Sequence, residues 1–122
     1  MNVTLWILQV LLGLFFLIVG AVKAFRHERA LSAMPWVDDV PRGLVTFIGY
    51  SEMSGGAGLI LPGAIGMSPL LISVAALGLA VVMLHAGAFH AMRREYRNIW
   101  GNLGLLLAAC VIAYGRLVAR LP

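Results

Sequence analysis

The stretch FIGYSEMSGGAGLILPG, Phe47–Gly63, decides the fold. It is apolar at both ends, dense in glycine at its centre, and carries one carboxylate, Glu52. A soluble helix would keep such an acid on a polar face, but here nearly every neighbour is apolar or small. Charged side chains inside a membrane are costly, so they turn toward other helices and find partners. The segment therefore reads as a membrane helix whose glycine-lined side faces its neighbours.

Composition widens that reading to the whole chain. Of 122 residues, 61% are hydrophobic and 11% charged, and the mean hydropathy is +0.95. Soluble domains have about 45–50% apolar and about 25% charged residues. A core of this size cannot hide so much apolar surface from water. Four apolar runs, 3–25, 43–61, 69–92 and 99–118, are each close to the roughly 20 residues that cross a ~30 Å hydrocarbon core. No strand-type alternation is present, so helices are left to satisfy the backbone in lipid. The expected fold is all-α, an antiparallel four-helix transmembrane bundle in one domain spanning 1–122. The first run lacks a basic leader and a clear cleavage site, and reads as a retained helix.

The net charge of +4 is not a nucleic-acid footprint, because the basic residues flank apolar runs. Lys23, Arg26, Arg29, Arg42, Arg93, Arg94 and Arg97 share one side, against Arg116 and Arg120 on the other. That bias predicts a multi-pass protein of a bacterial-type plasma membrane, with the first and third connections cytoplasmic and both termini outside. The first connection, RHERALSAMPWVDDVPR, reads as an interfacial excursion with Trp36 at headgroup level. PGAIGMS and RREYRN are short turns.

On a helical wheel, Gln9, Gly13, Phe16, Gly20 and Lys23 fall within about 80°, and Gly49, Glu52, Gly56 and Gly63 share a similar arc. Small and polar residues thus form one stripe on each helix, the pattern that lets membrane helices approach closely. Counted from the flanking arginines, Glu52 lies about 13 Å deep, His85 about 12 Å, Asn102 about 7 Å, and Lys23 and His90 about 5 Å, all in one membrane half. Lys23, Glu52, His85, His90 and Asn102 are the candidate polar core or ligand-binding set, with Gly13, Gly20, Gly49, Gly55 and Gly56 as packing positions. The plainer expectations are that Lys23 snorkels to the interface, His90 is interfacial, Asn98 and Asn102 bond between helices, and His85 donates to a carbonyl of a neighbouring helix. Glu52 either staples helices, paired with Lys23 or His85, or holds a ligand or a proton. His85 and His90 do not form a same-face metal pair, and the methionines read as apolar filler. Cys110 is the single cysteine, so the chain carries no dithiol pair. Ala76, Ala80 and Gly87 suggest an oligomerisation face.

LIVGAVKAF, then MPWVDDVPRGLVTFIGYSEMSGGAGLILPG, then FHAMRRE and NLGLLLAACVIAYGR, together resemble the DoxX-like family of small integral membrane proteins. The resemblance covers nearly the whole chain. It implies a four-helix membrane bundle and carries over Lys23, Glu52, Gly55, Gly56, His90 and Asn102, without a catalytic mechanism. It also implies membrane redox assemblies as the setting. The expected role is a non-catalytic membrane subunit or scaffold of a quinone-linked assembly, with a quinone or lipid as the candidate ligand near Glu52. Partners expected are the lipid bilayer, redox-complex subunits or a homo-oligomer, and no nucleic acid. The alternatives are an assembly chaperone for other membrane proteins and a small proton-coupled transporter.

Overall fold

The computed structural model describes residues 2–120. The side chain of Arg120, counted in the charge balance, lies outside that description. Five α-helices are present: α1 Asn2–Phe25, α2 His27–Ala33, α3 Arg42–Ala64, α4 Pro69–Met92 and α5 Tyr96–Arg120, with a 3₁₀ turn at Pro35–Asp39 between α2 and α3. Four of them, α1, α3, α4 and α5, are long and apolar enough to cross a membrane. No strand occurs among the described residues.

α4 coincides with its apolar run, whereas α3 and α5 extend beyond theirs. α3 continues through Pro62 to Ala64. Proline is tolerated there because it deletes one bond of the last helical turns, and the turn closes by Ile65 N donating to Leu61 O at 3.0 Å and Met67 N to Pro62 O at 2.7 Å. Gly66, at φ +76°, supplies the left-handed residue that this tight connection needs. Ser68 then caps α4, its hydroxyl accepting from Leu70 N at 3.2 Å, with Pro69 at the first helical position. At the far end of α4 the chain turns through Arg94, which occupies the left-handed region at φ 60°.

The bundle is built from two helix pairs. α1 packs chiefly on α3, α4 chiefly on α5, and α3 meets α4 along the seam. Along α1 and α3 the contacts run in opposite order: Trp6 beside Gly63, Gly13 beside Gly56 and Ile60, Gly20 beside Gly49 and Met53. Hydrocarbon gives no hydrophobic force between helices, so this pair depends on close packing and polar contacts. The glycines supply the packing. A methyl group at Gly20 would stand 2.6 Å from Gly49 O, and one at Gly56 would stand 2.7 Å from Gly13 O.

The main core joins all four spans through Leu12 and Phe16 of α1, Leu59 of α3, Ile72, Ala76, Leu79, Ala80 and Met83 of α4, and Ala109 and Ile112 of α5. Ala76 and Ala80, expected on an oligomerisation face, are instead buried inside the bundle. Their small side chains let neighbouring spans pack against α4, which is the same property that suggested an external contact. The outward surface is apolar, with Ile7, Leu11, Ile18, Phe47, Val74, Leu77, Val81, Leu84, Leu107 and Val111 exposed.

The first connection is built from ordered elements. α2 and the 3₁₀ turn fold back as a cap with its own apolar cluster, in which Ala30, Val37 and Val45 are buried against Val22, Leu31, Met34, Trp36 and Val40.

Candidate functional site

The α1 and α3 stripes face each other and bring Lys23 and Glu52 together. Lys23 Nζ donates to both carboxylate oxygens, to Oε1 at 2.9 Å and Oε2 at 3.2 Å. The two residues are 7% and 1% exposed, so Lys23 does not snorkel. The reason is geometric: Gly20 and Gly49 bring the helices so close that the Lys23 stem is trapped against Gly49, where a methyl group would lie 3.0 Å from Lys23 Cβ. Inward extension to the carboxylate is the satisfied path. A charge pair of this kind breaks at a high cost when one partner is lost, because the other is left buried alone.

Trp36 roofs the pair. Its ring lies 5.4 Å from Lys23 Nζ, a cation–π distance. Its other neighbours are Phe89 and His90 of α4, at centroid distances of 5.7 and 5.8 Å in edge contacts. Trp36 is thus half-buried between the two helix pairs.

His90 is buried and belongs to a polar chain at the end of α4. Its Nδ1–H donates to Glu95 Oε1 at 2.8 Å. Arg93 Nε donates to the same oxygen at 2.9 Å, and Arg93 Nη1 pairs with Asp39 Oδ2 at 2.7 Å. The chain links the third connection to the cap. Outside the spans, the Glu95 carboxyl is held below its usual value, first by the hydrogen bond from His90 and then by that from Arg93. The Arg93 guanidinium is raised by its bonds to Glu95 and Asp39.

His85 does not join the core. It is exposed on the outer side of α4, and its Nδ1–H donates back to Val81 O at 2.9 Å within its own helix. Depth matched it to Glu52, but depth carries no azimuth, and the rotation of α4 is set by Ile72, Ala76, Leu79 and Met83 facing inward. Asn102 is partly buried, and its Nδ2 has no hydrogen-bond partner among the described residues. Gly55 packs on a buried leucine of α4, its added methyl meeting Leu79 Cδ2 at 2.6 Å, rather than on α1.

A second polar junction lies nearer the opposite ends of α1 and α5. Arg116 is buried. Its Nε donates to Gln9 Oε1, Gln9 Nε2 donates to Leu59 O at 2.8 Å, and the guanidinium lies 5.5 Å from the Trp6 ring centroid. α5, α1 and α3 are joined by this set. The Gln9 position on the wheel pointed to it, but Arg116 was read as a flanking charge. Its place directly after Tyr114 and Gly115, about one turn from the end of α5, gave no signal of direction. Ser73 adds a further tie between α4 and α5, its hydroxyl donating to Ala113 O at 2.8 Å.

Two outer depressions mark the surface. One is lined by Val3, Trp6, Ile7, Val10 and Leu11 of α1. The other runs between α3 and α4, lined by residues that include Phe47, Ser51, Ser54, Gly55, Ala75 and Gly78. Glu52 lines neither. Among the described residues, no group of three or more His, Cys, Asp or Glu side chains is placed to hold a metal ion.

With this geometry in view, the family model of the DoxX-like family matches residues 7–113. The chain belongs to the DoxX-like family. The match takes in both polar residues of the Lys23–Glu52 pair, the cap and about the first five turns of α5. Comparison with curated proteins and with solved structures gave no match.

Proposed function

We propose that this DoxX-like protein is a non-catalytic membrane scaffold, a small subunit that presents shaped helix surfaces to a larger assembly. The observation that carries the reading is the saturation of Glu52: both oxygens accept from Lys23, and the pair is sealed by Gly20, Gly49 and Trp36. A carboxylate occupied in this way acts as a staple between α1 and α3. A quinone or lipid, expected at Glu52 from sequence, would have to displace Lys23 to reach it. The outer groove between α3 and α4 offers small residues and hydroxyls to an incoming helix without that cost. The family resemblance supplies the setting, a quinone-linked redox assembly in a bacterial-type plasma membrane. The arginine distribution supports the first and third connections on the cytoplasmic side and both termini outside.

The test is purification from native membranes in polymer-bounded lipid discs, followed by native mass spectrometry. The scaffold reading expects a stoichiometric membrane redox subunit bound to the chain. A chain carrying no protein partner, or a prenyl quinone retained by wild type and lost from Glu52→Gln, contradicts it. Substoichiometric partners whose abundance falls on deletion of the protein would favour the chaperone reading instead.

A further inference from the structure

We infer that the cap formed by α2 and the 3₁₀ turn is a gate over the Lys23–Glu52 pair, whose release from α4 and the third connection admits water to the pair. The inference goes beyond the scaffold role and does not depend on it.

The cap is held by two kinds of contact of very different strength. On the α1 and α3 side, Ala30, Val37 and Val45 form a closed apolar cluster, and Arg26 N donates to Val22 O at 2.9 Å, continuing from α1. On the α4 side, the cap is held by the edge of Trp36 on Phe89 and His90 and by the Arg93–Asp39 pair. That pair is open to water, with side chains 31% and 57% exposed. Exposed pairs of this type are weak and salt-screened. The cap is therefore anchored along one edge and clasped along the other.

It also has places to bend. The backbone leaves helical geometry at Arg26 (φ −127°, ψ 61°), Met34 (φ −131°, ψ 90°) and Val40 (φ −121°, ψ 139°). Neither α2 nor the 3₁₀ turn has a side-chain cap bond fixing its start. Tilting the 3₁₀ turn about the anchored Val37, with Met34 and Val40 flexing on either side, lifts Trp36 away from Lys23. The Trp36 ring, 5.4 Å from Nζ, is the contact the cap makes over the amine, and so it is the seal.

Lys23 is the only lysine in the chain, which makes opening directly measurable. Protein in lipid nanodiscs is exposed to a water-soluble amine-acylating reagent, with a lysine peptide as rate reference, and modification at Lys23 is followed by peptide mass spectrometry. Wild type should react at least about tenfold more slowly than the peptide. Asp39→Asn, altered only at the exposed clasp, should react about two- to fivefold faster than wild type, the range of an exposed pair. Trp36→Ala should react faster by at least about tenfold. High salt should speed wild type and leave Asp39→Asn unchanged. Gln9→Leu, which loosens α1 at its other end, should leave the rate unchanged. The gate is overturned by wild-type labelling at the peptide rate, by equal rates in wild type and both cap variants, or by a rise in Gln9→Leu matching that in Trp36→Ala.

Discussion

Adding a single methyl group at Gly49 tests the packing that places the ion pair. In Gly49→Ala the new Cβ would lie 2.6 Å from Gly20 O and 2.7 Å from Ala24 N. Both are backbone atoms, so no side-chain rotation relieves the overlap. Ordinary carbon contact begins near 3.4 Å, so α1 and α3 must part locally by about 0.8 Å. Overpacking of this kind costs about 1–3 kcal/mol, and the better helix propensity of alanine returns at most about 1 kcal/mol. A net loss of about 1–2 kcal/mol follows. Gly104→Ala is the matched control, because its Cβ would meet nothing within 4 Å; it should be neutral or gain up to about 1 kcal/mol. Unfolding in bicelles by SDS titration, followed by circular dichroism and tryptophan emission, reads both. If Gly49→Ala proves as stable as Gly104→Ala, the close α1–α3 approach is not what holds this pair of helices.

Three further outcomes follow from the other contacts. Gln9→Leu removes the acceptor of Arg116 Nε and the donor to Leu59 O, and should destabilise by about 1–3 kcal/mol in the same SDS titration. His85→Ala should change stability by less than about 0.5 kcal/mol, because the side chain is exposed and bonds only to its own helix, whereas His90→Ala should be measurably worse. The Glu95 carboxyl is depressed in the folded protein, so its contribution is present above the ordinary carboxylate value and is lost as pH falls through the depressed one; Arg93→Gln should move the Glu95 titration, read by carboxyl ¹³C shifts, upward.

The four spans were legible because length and apolarity are the demands lipid makes on a helix, and both are local. The α1 and α3 stripes were legible too: Gln9, Gly13, Phe16, Gly20 and Lys23 all face inward, as do Gly49, Glu52 and Gly56. The α3 and α5 ends were drawn short by a few residues, because Pro62 and polar starts such as Arg97 and Asn98 still continue a helix. α2 escaped because HERALSA is a single short helix without a capping side chain, stabilised by Val37 and Val45 from elsewhere in the sequence. The fate of Lys23 was open, because snorkelling and inward pairing differ only by what α3 places opposite it. His85 and Ala80 were misplaced for one reason: α4 is apolar almost all round, so its sequence states no azimuth, and only packing against the neighbouring spans sets its rotation. Arg116 shows the reverse, a charge near a helix end that the approach of Gln9 and Trp6 turns inward.

The central claim is that Lys23 and Glu52 form a buried pair that staples α1 to α3. A double-mutant cycle in bicelles tests it, with Lys23→Met, Glu52→Leu and the double variant unfolded by SDS. Each single variant should lose about 3–5 kcal/mol, because it strands the other charge, and the double variant should recover most of that loss. Losses that simply add, or single variants as stable as wild type, would contradict the account.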